Sequence, residues 1–375
     1  VLAVIALFAI PMGAPAAAPR LLHASLTQAG RELIFTVRTS SPVALGRLAA
    51  RPETRRSTAR YLCLSFGRKG GGERRLCLGG RGARHRVGLE LVDASGRATR
   101  KSRVRATVKR PVPQKLVVAL VPAEAGLLPH RYGWRVIESP GCRPGQRCAS
   151  AFPARGSMGF RLRPVRAVGC SGGGTGLDTN GPRDRKVVAL TFDDGPSEYT
   201  PGFLGVLREK GVNGTFFEVG QEMPGREALM RRILAEGNEI GDHTMNHVEL
   251  PGYSQIAGAG ARIASYTHFR PCLFRPPGGA ANAGVIATAG SLGMRTITWD
   301  VDPRDWSTPG TGAIYNAIVG TARPGSIVLM HDGGGNRGQT LAALPHVIDT
   351  LRARGYRFET VSRLLGHRLL YRPYG

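Results

Sequence analysis

Acidic residues are scarce in the first half of this chain. Of 375 residues, 52 are Lys or Arg and 26 are Asp or Glu, yet residues 1–182 hold 31 of the basic residues and only 8 of the acids. That stretch carries +23 of the net +26, which leaves residues 183–375 nearly neutral. Lysine is scarce as well, at 6 of the 52 basic residues, so arginine carries the charge. Such a balance fits attraction to a polyanion, whether an acidic wall polymer, a membrane surface or a nucleic acid, and it fits an arginine bias of the genome equally. Long apolar runs are missing beyond residue 20, which excludes a membrane-spanning helix there, since about 20 apolar residues are needed. With 42% hydrophobic and 21% charged residues the composition is that of a folded globular protein, not of a disordered or fibrous one. A chain of this length is expected to form two domains.

The first ten residues, VLAVIALFAI, are apolar and lead into the small-residue run PMGAPAAAP. Residues 1–20 read as a truncated secretory signal peptide in preference to an uncleaved anchor. The mature chain is therefore expected to lack a transmembrane segment and to be secreted or associated with the cell wall. Six cysteines suit an oxidising compartment. Cys63 and Cys77 bracket a Gly-rich turn, Cys142 and Cys148 bracket a short loop, and Cys170 and Cys272 are left to staple the domain junction to the second half. Six cysteines allow 15 pairings, so connectivity stays open.

From Leu21 to Arg166, short β-prone runs such as RELIFTV, RYLCLSF and KLVVALV are separated by turn residues. A small, basic, all-β domain over 21–166 is expected, sandwich-like and of unassigned role. Residues 167–185 are rich in Gly, Asn, Asp and Pro and read as a linker. From 186 to 368 apolar strand-like runs alternate with helical stretches, the pattern of parallel βα units. Seven strands are expected: KVVALTF, GTFFEV, EIGDH, LFRPP, MRTITWD, SIVLMHD and YRFETV. A closed or nearly closed α/β barrel follows, with functional residues at the C-terminal ends of its strands.

Those ends carry the chemistry. VVALTFDDGP places Asp193 and Asp194 where a buried strand breaks into a turn. His243 and His247 are spaced i, i+4, which on a helical turn would bring both imidazoles to one metal ion. One Asp added to the two His gives a catalytic-type donor set with positions open for water, while the other Asp stays free as a base. Asp300 and Asp302 read as ordinary loop carboxylates.

TFDDGP, HTMNH, FRPP, DPRDW and LMH, in that order on successive strands, resemble the polysaccharide deacetylase family, also called the NodB-homology or carbohydrate esterase 4 family. The resemblance covers about half the chain. It implies a distorted (β/α)7 barrel in which Asp194, His243 and His247 bind a divalent metal, zinc for preference with cobalt or nickel workable. It implies Asp193 as general base, His331 as general acid, Arg275 orienting Asp193, and Asp305 pairing with His331. Trp306 and Leu329 would line the slot for the acetyl methyl group, and the backbone N–H just after Pro277, that of Gly278, would meet the oxyanion. Many members carry an aromatic residue after Arg-Pro-Pro, where this chain has Gly278 and Gly279. The run HDGGGNRGQT adds a Gly-rich loop, expected as a mobile rim.

The expected activity is removal of N-acetyl groups from an N-acetylglucosamine-containing polysaccharide, peptidoglycan or chitin-like. Two alternatives are an O-acetyl xylan esterase using the same chemistry and a catalytically weak wall-glycan-binding protein. A non-haem iron oxygenase would explain neither Asp193 nor His331. The basic N-terminal region points to an anionic cell-wall polymer as partner, with nucleic acid not expected. Binding to washed anionic cell walls should fall steeply as salt is raised. Undiminished low-salt binding after deletion of residues 21–166 would refute that role.

Overall fold

The computed structural model describes residues 21–40, 42, 60–67, 74–81, 86–93, 98–104, 106–125, 127–128, 130–140 and 150–374. The expected signal peptide and the Cys142–Cys148 pair lie outside the described residues. The chain divides into two units, Val1–Pro164 and Val165–Gly375.

Period-two burial builds the first unit. Leu33, Phe35 and Val37 alternate with more exposed neighbours, as do Leu116, Val118 and Leu120, and Tyr132, Trp134 and Val136, while residues 62–66 are buried on both faces. Side chains on a strand point alternately to its two faces, so each alternating run buries one face. Two antiparallel sheets result. One has the order Leu21–Ala29, Glu32–Thr39, Lys115–Leu120, Ala106–Val112. The other runs Ser150–Phe152, Arg131–Pro140, Arg60–Gly67, Arg74–Arg81, Arg86–Asp93, Ala98–Val104, with Met158–Arg161 also paired to Arg131–Pro140. Buried side chains of both sheets share one core, the arrangement of a sandwich. Cys63 and Cys77, directly opposed on adjacent strands, are joined by a disulfide.

The second unit alternates strand and helix: β1 (Val187–Gly195), α1 (Thr200–Lys210), β2 (Thr215–Glu218), α2 (Glu227–Ala235), β3 (Glu239–Asp242), α3 (Tyr253–Thr267), β4 (Leu273–Phe274), α4 (Ala283–Ser291), β5 (Arg295–Ile297), α5 (Thr311–Thr321), β6 (Ile327–His331), α6 (Gly338–Ala353) and β7 (Arg357–Phe358). The parallel sheet has the order β5-β4-β3-β2-β1-β6, with β7 beside the start of β1. A bridge from Val301 to Val328 links the chain beyond β5 to β6 and curls the sheet into a distorted barrel.

Strand β1 shows how the sequence selects this position. Val188, Leu190 and Phe192 face outward into a core shared with Phe203, Leu207, Leu344 and Val347 of the helices. Val187 and Ala189 face inward with Phe217, Leu273, Ile297 and Ile327. A strand covered on both faces needs an unbroken apolar run, and β1 has one. The same alternation continues the inward row with Thr191 and Asp193, so the carboxylate is delivered to the barrel mouth by strand geometry alone.

The segment read as a linker carries structure of its own. Val165–Cys170 pairs antiparallel with Leu369–Pro373. Leu177–Asp178 adds a parallel strand beside β5. Arg295 holds it there through Asp178 at 2.7 Å, and Cys170 is bonded to Cys272 just before β4. Gly-rich composition marked this stretch as irregular, but its few side chains suffice to pin it. Among the described residues no helix is long and apolar enough to cross a membrane.

Candidate active site

Arg275, the residue after β4, is fully buried. Its Nη1 donates to Asp193 Oδ1 at 2.6 Å and to Thr191 Oγ1 at 2.8 Å, and its Nη2 donates to the Thr298 carbonyl at 3.1 Å. The guanidinium also lies over the Phe217 ring, 4.1 Å from its centroid. A buried cation needs such partners to offset lost hydration. Asp193, 2% exposed, is thereby fixed in one orientation with Oδ2 directed toward His243 Nε2, 3.8 Å away.

Among the described residues, Asp194, His243 and His247 form the one group of His, Cys, Asp or Glu donors close enough to hold a metal, with donor atoms within 4.8 Å of one another. Asp194 Oδ1 lies 3.4 Å from His243 Nε2 and 3.1 Å from His247 Nε2. That oxygen is buried and has no directed hydrogen bond, so two imidazole nitrogens and an unpartnered carboxylate oxygen converge on one point. This donor set fits a divalent cation. The His243 Nδ1–H donates to the Arg275 carbonyl at 2.7 Å, which selects the tautomer whose Nε2 lone pair faces the site. Burial works to raise the Asp194 pKa, but the attraction of His243 and His247 outweighs it and holds the carboxyl well below its usual range. His247 is raised, chiefly by Asp194.

The expected helical turn between the two histidines is absent. After β3 the chain leaves regular structure, and Thr244 and His247 adopt left-handed conformations with φ 70° and 54°. The rings still meet, with centroids 5.1 Å apart. The two histidines are brought together by a different backbone path. The Thr244 N–H donates to Asp242 Oδ1 at 2.9 Å, closing a local turn that a helix would not make.

Opposite stands His331, at the end of β6. Its Nδ1 lies 2.7 Å from Asp305 Oδ1, and its backbone N–H donates to Asp305 Oδ2 at 2.9 Å. Thr340 Oγ1 donates to the same Oδ2 at 2.8 Å, so Asp305, 1% exposed, is held from three directions. Burial tends to lower the His331 pKa, but Asp305 overcomes it and raises the imidazole above its ordinary value. With Nδ1–H committed to Asp305, Nε2 is the atom left to exchange a proton.

The substrate-facing candidates are placed less uniformly. Gly278, after the buried Pro277, has φ 63° in a single 3-10 turn, where first-turn N–H groups have no internal acceptor. Trp306 is 49% exposed, with the Arg304 guanidinium 5.3 Å from its ring centre. Leu329 is 3% exposed within β6 and offers little surface. Asp300 is engaged by Arg183, Ser326 and the Ile327 N–H, and Asp302 by the Arg304 N–H, as expected of loop carboxylates. The Gly-rich run after His331 is clamped where a mobile rim was expected. Gly333 N–H donates to the Asp193 carbonyl at 3.2 Å, and buried Arg337 donates to the Gly333 and Gly334 carbonyls at 2.6 and 2.8 Å. A Cβ on Gly333 would collide with the Asp194 carbonyl, so glycine is what permits this approach.

Two further acids escaped the sequence reading. Glu218, at the end of β2, and Asp332 are both 0% exposed, and both oxygens of Glu218 and Oδ1 of Asp332 lack hydrogen-bond partners. They flank Gly195, whose Cβ would lie 2.7 Å from Asp332 Oδ2 and 2.9 Å from Glu218 Oε2. The available signal was a Glu ending an otherwise apolar strand. Burial, then the charge of Asp332, raises Glu218 well above its ordinary value, and burial pushes Asp332 up to about 7. Below pH 4.5 Glu218 is protonated in folded and unfolded chains alike. As pH rises, the unfolded chain releases a proton that the folded one retains, and stability is lost through the folded pKa. Glu218→Gln has no such proton to retain. Thermal unfolding should therefore show its stability relative to the parent growing from about pH 4.5 to pH 8, and a pH-independent difference would contradict the assignment.

Comparison with known proteins gives this arrangement a family. The family model for polysaccharide deacetylase matches residues 180–297. The chain is 43% identical over 195 residues to a peptidoglycan-N-acetylglucosamine deacetylase of Bacillus cereus, covering 50% of this chain and 92% of that protein. It is 39% identical over 192 residues to a chitooligosaccharide deacetylase of Sinorhizobium fredii, covering 45% of this chain and 87% of that one. A crystal structure of a peptidoglycan N-acetylglucosamine deacetylase in complex with 4-naphthalen-1-yl-N-oxidanyl-benzamide superposes with a TM-score of 0.50 at 32% identity, over 51% of this chain and 94% of that chain. The chain thus belongs, through its C-terminal half, to the polysaccharide deacetylase family of carbohydrate-active hydrolases.

Proposed function

We propose that this protein removes N-acetyl groups from N-acetylglucosamine units of a secreted-compartment polysaccharide, peptidoglycan or chitin-like, and acts outside the cell or in its wall. Two adjacent carboxylates differ in their partners, Asp193 on the Arg275 guanidinium and Asp194 on two imidazoles, while a third imidazole, His331, is raised by its own carboxylate. Base, metal ligands and acid are thus separate groups, as hydrolysis of an unactivated amide requires.

A divalent ion held by Asp194, His243 and His247, zinc for preference and cobalt or nickel by the same donors, would supply Lewis-acid polarisation and a water of lowered pKa. Asp193, held by Arg275, takes the proton of the attacking water. The Gly278 N–H donates to the oxyanion that forms on the acetyl carbon, a contribution of roughly 3 kcal/mol for one such donor. His331, protonated and steadied by Asp305, gives its Nε2 proton to the departing sugar nitrogen, so one water and one amide become acetate and a free amine. Trp306, with a smaller part for Leu329, borders the acetyl methyl group. The basic region over 21–166 attracts anionic wall polymer and so concentrates the enzyme on its substrate.

The decisive experiment follows acetate release from chitooligosaccharide, peptidoglycan and acetylated xylan by purified protein with and without added zinc. Release from the first two should depend on metal, and Asp193→Asn should lower it by about 10²- to 10⁴-fold while still binding the ion. Release from acetylated xylan alone would replace the amidase reading with an esterase.

A further inference from the structure

The loop that leaves His247 carries a carboxylate with no role in the chemistry above. Glu249 is exposed, and among the described residues it has no hydrogen-bond or ion-pair partner. Its side chain nevertheless lies along Gly278. A Cβ on Gly278 would stand 3.1 Å from Glu249 Oε1, 3.4 Å from Cδ and 3.7 Å from Cγ. The loop is set by its backbone, since His247 and Leu250 on either side hold left-handed conformations with φ 54° and 49°. Such conformations are rare in residues other than glycine and persist where the surroundings enforce them.

A negative charge in this place is unfavourable for the step assigned to Gly278. It stands beside Gly278, whose N–H is assigned to a developing oxyanion, and like charges repel. A neutral Gln or Asn could read sugar hydroxyls there without that penalty. A carboxylate gains most over an amide where the neighbouring group of the ligand is a cation, because the charge-assisted hydrogen bond then joins opposite charges. The reaction itself makes such a group, because each turnover leaves an amino sugar that is an ammonium at neutral pH.

We propose that Glu249 is a specificity-determining residue that binds the ammonium of an already deacetylated sugar adjoining the unit under attack, an inference that rests on the deacetylase reading. Glycine at 278 leaves open the space beside which the Glu249 carboxylate lies. The enzyme then works preferentially on partly deacetylated chains, extending a deacetylated stretch in place of scattering isolated events.

The test compares kcat/KM of the zinc-loaded parent and Glu249→Gln on two tetrasaccharides, one fully N-acetylated and one with a glucosamine beside an acetylated unit. The parent should favour the mixed tetramer, and Glu249→Gln should lose about 5- to 10-fold on it while retaining or gaining rate on the fully acetylated one. Calorimetric binding of the fully deacetylated tetramer, which cannot react, should weaken several-fold in the variant. Equal loss on both substrates, or an unchanged ratio between them, would overturn the proposal. Absence of acetate release by the parent from either would instead remove the deacetylase reading, and the inference with it.

Discussion

Burial of the Arg275 guanidinium is the constraint around which this site is organised. Its desolvation costs several kcal/mol unless every direction in which it can donate is met. The chain meets that demand from separate elements: Asp193 and Thr191 of β1, the carbonyls of Ile297 and Thr298 at the end of β5, and the face of Phe217 in β2. The Arg275 backbone is used too, because its carbonyl sets the His243 tautomer and its N–H donates to the Asp242 carbonyl. One residue therefore orients Asp193 and His243 at once, and it does so from the closed interior, where side chains have little freedom to reorient.

The electrostatics form a graded set. Asp193 has a permanent cation, and Asp194 has two imidazoles that an ion can replace as its partner. Behind them Glu218 and Asp332, whose pKa values are both raised, make no ion pair among the described residues. If all four carboxyls were ionised, the mouth of the barrel would hold more negative charge than Arg275 and one divalent ion could balance. The upward shift of the inner pair opposes that excess.

Much of this was legible in the sequence because it rests on local rules. The apolar run of β1 and its period of two send Asp193 inward, and motif order on successive strands gathers five strand ends at one mouth. What was not legible depends on tertiary packing. The i, i+4 spacing of His243 and His247 suggested a helical turn, but hydrogen bonding by Asp242 and left-handed Thr244 and His247 supply the convergence instead. The Gly-rich stretch after His331 read as mobile because its anchor, Arg337, reaches back onto it from the following helix. Composition called 167–185 a linker, although its pairing with Leu369–Pro373 and with β5 involves partners more than a hundred residues away. Glu218 ends an otherwise apolar strand, but burial of a carboxyl is invisible until its neighbours are placed.

Arg275 serves to hold the Asp193 carboxylate, and a stability cycle on the metal-free protein measures that coupling. Arg275→Met alone should destabilise the fold by about 3–5 kcal/mol, the usual consequence of stranding one charge of a buried pair. Combining it with Asp193→Asn should restore most of that loss, because no buried charge is then left unpaired. Losses that simply add in the double variant would contradict the account and reduce Arg275 to a packing residue.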